Sequence, residues 1–441
     1  MIAPVRTPLR AVGAGQRLRI AAPWTFVLLL LLTFVIGHRF HLPKHGEWLD
    51  TYAYARGASG FLLHPSNLYD AAVPQLHSLR AQNAFIYPPS ALIPFLPLVP
   101  VTRGLGLAWT AEIWTWIDAV ALLAALVLVA RQLGMSAERT AWVVAALMLT
   151  LPVLSEVDSG QVEGVVLLLL VLSWQRFPRT SSGVLLGAAL ALKPVAPWLL
   201  LLPLALRRPR VTVAAVATLL VLNVPFLPFV GGSGTAFYFG QFLPWMGTHV
   251  IQDAGNMSLA NLLQTWVGGV PMNPDHPATL SPLHSSTTVE LVLLLVRGAA
   301  LVLFARELLL RRHPPFQLFA MALAALPLLA PTAWAHYWVF LLPGVLVLLT
   351  DRSVRVAQVT GACIVACLLL NTMLDATTFH LAVFPGDLVP NRSAANVLSV
   401  LQDALLTVSS VVMVFALGLL RAPRPLLSRS SGSAPALAQL A

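Results

Sequence analysis

Long apolar runs separated by short arginine clusters constrain this chain more than any motif. From Ala21 to Leu420 the runs have helical, membrane-crossing length, roughly 17 to 25 residues each, and only 10% of the 441 residues are charged. Soluble domains carry about 25% charged residues. With 58% hydrophobic residues and a mean hydropathy of +0.80, the composition is that of a polytopic membrane protein. The runs lack the alternation, about ten residues per segment, that marks strands of an outer-membrane barrel. The predicted fold class is therefore all-α, a single polytopic bundle of transmembrane helices.

The net charge of +10 comes almost wholly from arginine, because Lys44 and Lys193 are the only lysines. A basic excess can mean nucleic acid, but here the arginines fall between apolar runs, as the positive-inside rule expects of cytoplasmic loops. No nucleic-acid partner is expected. Cys363 and Cys367 lie one helical turn apart within an apolar run, which suits packing and excludes a disulfide framework or a zinc site. The basic lead Arg6, Arg10, Arg17 and Arg19 precedes the run 21–37, and no small-residue cleavage site follows. That run is expected to be a retained first span.

Following the arginines sets a topology. Spans are expected at 139–156, 161–175, 211–229, 289–310, 315–332, 336–350, 354–373 and 396–420, with arginine clusters between them on the cytoplasmic side. The segment 231–288 contains no Lys or Arg and belongs outside. Residues 183–206 lie between two cytoplasmic clusters, so they must break near Lys193-Pro194. Pro88 to Pro100 reads as a short or broken entry helix before a full span from about 107 to 130. The total is about 12 spans with both termini inside. The expected organisation is a cytoplasmic segment 1–20, a membrane domain 21–420 with external loops 39–85, 230–288 and 374–395, and a disordered cytoplasmic tail 421–441 rich in Pro and Ser.

This topology collects polar residues on one outer face. Asp50, in HGEWLDTYAY, is placed to act as a general base on a bound hydroxyl, with Trp48, Tyr52 and Tyr54 raising its pKa by burial. It also reads as a solvated loop acid, and Glu47 offers the same chemistry. Tyr87, before Pro88 and Pro89, either lines a helix N-terminus that faces an anion or anchors a membrane-entry turn. Lys193 has no acidic neighbour in sequence; it either meets a phosphate or snorkels to head groups. His336, in PTAWAHYWVF, is a hydrogen-bond donor to a phosphate or sugar, or a member of an interfacial aromatic belt. Gln161 and Glu163, in SGQVEG, are placed to line a sugar-binding cavity. With Glu156 and Asp158 they do not share one helix face, so no metal is expected. Asn256 either lines the cavity or caps the run ANLLQTW. No phosphate loop, nucleophile elbow or HExxH motif is present.

Taken in order, Asp50 with its tyrosines, NLYD, YPPSALIPFLPL, SGQVEGVVLLLLVL, GVLLGAALALKPVAPWLLLLPL, GNMSLANLL and AWAHYWVFLLP resemble glycosyltransferase family 87. That family comprises mannosyltransferases that depend on polyprenyl-phosphate-mannose. The resemblance implies a GT-C fold with an external cavity, and a polyprenyl-phospho-sugar donor, with mannose as the expected sugar. It also implies a lipid or glycan acceptor and inverting transfer without a metal or cofactor, at the outer face of the cytoplasmic membrane. Asp50 takes the base role, Lys193 and His336 the donor phosphate, and Tyr54, Tyr87, Gln161, Glu163 and Asn256 the substrate. One departure stands out: the family's GQ-x-N pattern has Glu163 at its last position here.

Two other function classes fit such a chain. A secondary transporter would show inverted repeats and paired polar breaks near the midplane, and no repeat is visible by eye. An O-antigen polymerase or ligase would carry arginines in external loops, and the largest such loop has none.

Overall fold

The computed structural model describes residues 19–29, 32, 50–70, 84–194, 197–252, 256–267, 279–282, 286–310, 313–330, 332–351, 355–383 and 392–419. Glu47, the N-terminal residues 1–18 and the tail 420–441 lie outside the described residues. The protein is an α-helical membrane protein. Among the described residues, 5 helices are long and apolar enough to cross a bilayer, or 6 if a bent pair counts as one span. Shorter apolar helices, Arg19–Leu29, Thr180–Leu192, Pro315–Leu329 and Ala335–Thr350, lie among them.

Several elements follow from local chemistry. Pro89 opens a 3-10 turn after extended Pro88, the helix Val99–Leu105 follows, and Gly106 ends it at φ 95° before the 26-residue helix Leu107–Gln132. That is the broken entry and full span expected for 86–130. The expected span 139–156 is instead two helices, Ala137–Met148 and Leu151–Ser159, bent by 64°. Pro152 is the reason: a proline lacks the amide hydrogen and clashes with the preceding turn, so it tolerates only a helix's first positions, and the second helix starts there.

The arginine-free segment is less of a loop than its charge suggests. Pro209–Thr248 runs as a 40-residue helical stretch, kinked at Gly231, whose φ of 78° is a left-handed value that glycine adopts freely. The residues after 229 remain apolar, and hydropathy, unlike charge, continues the helix. Beyond it, His249–Gln252 pairs antiparallel with Thr279–Pro282, His249 opposite Pro282. The described residues of the expected loop 374–395 are all helical, within Arg355–Val383 and Arg392–Leu419.

Burial separates the core from the lipid-facing rim. In Pro209–Thr248 only 11% of the apolar window is buried and in Thr287–Leu310 22%, against 50% in Leu107–Gln132. The first two therefore present their apolar faces outward, while Pro315–Ala324 and the 3-10 segment Ala335–Leu341 are almost wholly buried. Small residues bring the rim to the core. Gly183 and Gly187, one turn apart on Thr180–Leu192, face the carbonyls of Val211 and Ala215, and a Cβ at either glycine would run into that backbone. Close backbone approach through small residues is the usual membrane packing device. Replacing Gly187 by Val is expected to destabilise the protein by about 2 kcal/mol, typical of overpacking. The check is a thermal shift in detergent, with Gly298→Ala, whose Cβ would meet nothing within 4 Å, as the control that loses no stability.

Candidate active site

A polar cluster forms where breaks in the chain meet. Pro194 excludes the residue before it from the helical region, because its ring clashes with that residue's backbone. Lys193 accordingly leaves the helix Thr180–Leu192 at φ −150° and ψ 113°. A second break is Gly160, left-handed at φ 60°, which ends Leu151–Ser159 and leaves Gln161 and Val162 as the link to the helix Glu163–Arg176. A side chain at Gly160 would collide with the Thr51 hydroxyl, which donates to the Gly160 carbonyl at 2.5 Å. The Trp114 indole N–H holds the Gln161 carbonyl at 2.6 Å. From a third break, Ser90 Oγ donates to the Ala191 carbonyl at 2.5 Å, just before Lys193.

At the meeting point the Gln161 amide N–H donates to Asp50 Oδ2, and Gln161 Oε1 accepts from Lys193 Nζ at 3.0 Å. The ammonium also donates to Glu163 Oε1 at 2.5 Å, and His336 Nε2 lies 3.4 Å from that oxygen. Glu163 Oε2 accepts the Val162 N–H at 3.1 Å. Glu163 is 0% exposed, His336 3% and Lys193 4%, so water screens this pair little. Aromatic faces complete the surround: Lys193 Nζ is 5.5 Å from the Tyr87 ring centre and 4.9 Å from that of Tyr337, within cation–π range.

Asp50 begins the helix Asp50–Leu63, outside the candidate spans, and is partly buried. Burial pushes its carboxyl from 3.8 up to about 6, against the pull of the Lys193 ammonium and the Gln161 hydrogen bond, with Glu163 adding to the rise. A carboxylate in that range is a useful proton acceptor near neutral pH. A base and an ammonium joined through one amide suit a reaction in which a hydroxyl loses its proton while an anionic group departs.

The sequence-derived candidates separate into three groups. Asp50, Gln161, Glu163, Lys193 and His336 come together. Tyr87 walls the cluster, its carbonyl held by the Tyr69 hydroxyl at 2.8 Å, and Tyr54 stacks between Tyr87 and Phe95 with ring centres at 4.1 and 4.8 Å. Asn256 has a different place. Its side-chain oxygen accepts from the Ala333 and Ser258 N–H groups at 2.9 and 3.2 Å, which pins the turn leading to His336. It is not the helix cap either, since Ser258 Oγ accepts the Asn261 N–H at the start of Leu259–Trp266. Glu163 is a counter-ion to Lys193 and holds the lysine in place.

Of the supports beneath the cluster, sequence reading missed Asp118 and took Glu156 only as part of an acidic edge. Asp118 Oδ1 accepts the Val165 N–H at 2.9 Å and Glu156 Oε1 the Gly164 N–H at 3.2 Å. Both carboxylates are buried and meet the first-turn amides of Glu163–Arg176, where negative charge is favoured by the helix dipole. The signal for Asp118 was available, since an acid inside an apolar span is expensive and rarely idle. Tyr337 and Trp114 carry no such signal, because aromatics are common in every span.

Comparison with known proteins places the chain in a family. The description of glycosyltransferase family 87 matches residues 85–332, a span that takes in Tyr87, Gln161, Glu163 and Lys193 but stops short of Asp50 and His336. A polyprenol-phosphate-mannose-dependent alpha-(1-2)-phosphatidylinositol pentamannoside mannosyltransferase of Mycobacterium tuberculosis is 28% identical over 344 residues, 75% of this chain and 74% of that protein. Its namesake from Mycolicibacterium smegmatis is 28% identical over 363 residues, 79% and 81% of the two chains. A phosphatidylinositol mannoside mannosyltransferase of M. tuberculosis, also polyprenol-phosphate-mannose-dependent, is 27% identical over 373 residues, 77% and 79%. No solved structure matches the chain.

Removing one member of a buried ion pair leaves the other uncompensated, at about 3–5 kcal/mol. Lys193→Met is therefore expected to lower stability by that amount, and Lys193→Met with Glu163→Gln to recover most of it. Thermal unfolding in detergent reads both.

Proposed function

The chain belongs to glycosyltransferase family 87, and from that premise we propose that it moves mannose from a polyprenyl phosphate to a lipid acceptor of the phosphatidylinositol mannoside class. The enzyme is a membrane glycosyltransferase; donor and acceptor follow the names of its relatives. We place the site on the outer side of the cytoplasmic membrane, in a GT-C-type bundle of about 12 spans, as the arginine-free segment 231–288 favours.

The observation that carries the reading is the unbroken polar path from Asp50 through Gln161 to Lys193 and Glu163, with His336 at its end. In the proposed step Asp50 accepts the proton of the acceptor hydroxyl while that oxygen attacks the sugar C1 from the face opposite the phosphate. The O–C1 bond forms, the C1–O bond to phosphate breaks, and polyprenyl phosphate leaves with both electrons as a dianion. Lys193 and His336 meet the growing charge on the phosphate, the kind of prearranged electrostatic support that dominates many rate accelerations. Tyr87 and Tyr54 shape the sugar pocket, and the scheme assigns no step to a metal.

Asp50→Asn keeps the shape and removes the base. In proteoliposomes supplied with polyprenyl-phosphate mannose and a phosphatidylinositol mannoside, transfer is expected to fall by about 100-fold or more, a typical share for a general base. A full rate would refute the base role. At donor concentrations far below saturation, where the rate reports the free enzyme, wild-type transfer is expected to fall as the pH drops through about 6, where the Asp50 carboxyl takes up its proton. An unchanged rate at pH 5 would contradict it.

A further inference from the structure

Gln161 does more than line a cavity: it is the only residue hydrogen-bonded to both Asp50 and Lys193 among the described residues. Its amide orientation is fixed by its partners, since a carboxylate accepts only and an ammonium donates only. The N–H end must face Asp50 and the oxygen end Lys193. Trp114 and Thr51 hold its backbone link at the Gln161 and Gly160 carbonyls, so the side chain is a short strut between two charged groups.

Such a strut transmits charge. While Lys193 donates to Gln161 Oε1, it polarises the amide and strengthens the N–H bond to the Asp50 carboxylate, because hydrogen bonds in chains reinforce one another. A phosphate drawing the ammonium toward itself removes that support and adds a negative charge nearby. We propose that Gln161 is a positioning residue that couples the donor phosphate at Lys193 to Asp50, so that donor binding strengthens Asp50 as a base before the acceptor reacts. The coupling rests on the function proposed above and extends it to the order of events. A base that is weak until the leaving group is seated would spare the empty enzyme from holding a proton it cannot use.

Coupling between two sites is reciprocal. If donor raises the proton affinity of Asp50, protonation of Asp50 must tighten donor binding, and binding is measurable without turnover. The titratable and charged groups facing Asp50 are Lys193, Glu163, Tyr54 on its own helix, Tyr87 and Tyr337, with His336 behind Glu163. Asp50→Asn separates its share from theirs.

The test is the affinity of a short-chain polyprenyl-phosphate mannose for the purified full chain in nanodiscs, without acceptor, from pH 8 to pH 5.5. The phosphodiester keeps one negative charge throughout that range. A nearby opposite charge shifts a carboxyl by about one unit or more, so wild-type affinity is expected to tighten about tenfold as the pH falls. Asp50→Asn should show a flat profile, and Gln161→Met, close in length but without the amide, a change of less than about threefold on the same scale. A flat wild-type profile, or full pH dependence retained in Asp50→Asn, overturns the coupling. Full dependence retained in Gln161→Met, or in Gln161→Leu should the methionine variant fail to fold, overturns the role of the strut. Absence of binding at every pH would refute the donor assignment itself. Binding with a normal profile but undiminished transfer by Asp50→Asn would remove the base role and leave the coupling standing.

Discussion

The ammonium of Lys193, almost wholly removed from water, is the constraint on which the rest of the site depends. A buried cation is tolerated only with a partner and good geometry, and Glu163 and Gln161 supply both. Each partner in turn needs its own support. Glu163 opens, and Gln161 shortly precedes, one helix whose first-turn amides are taken by Asp118 and Glu156, and Gln161 is tethered by Trp114. The lysine thus explains why acids that would be costly alone gather inside an apolar bundle.

Much of this was legible in the residues. Lys193-Pro194 marked a helix break between two arginine clusters, and the break lies there because proline constrains its predecessor. The apolar runs marked the helices, and Asp50 stood out as an acid between spans. What escaped was set by tertiary contact. The role of Glu163 as counter-ion depends on a lysine some thirty positions away, and the bend at Pro152 divides a run whose hydropathy is continuous. Asn256 had the chemistry of a ligand contact, yet backbone amides claim its side chain.

Charge and hydropathy also disagreed in one place, and hydropathy decided it. The absence of arginine after Gly231 argued for an external loop, but the apolar residues there extend a helix to Thr248 before the small ribbon begins. Topology rules locate a segment relative to the bilayer; they do not say whether its backbone is coiled.

Glu163 gives the site a character of its own. The cluster contains a second carboxylate besides Asp50 and satisfies its lysine internally, so an anionic donor must share or displace that partner. A structure of the full chain in nanodiscs, with a non-transferable phosphonate analogue of polyprenyl-phosphate mannose bound, tests this most directly. The account predicts a phosphonate oxygen within hydrogen-bonding distance of Lys193 Nζ and the sugar C1 turned toward Asp50. Analogue density away from this cluster, with the Lys193–Glu163 contact unchanged, would contradict it.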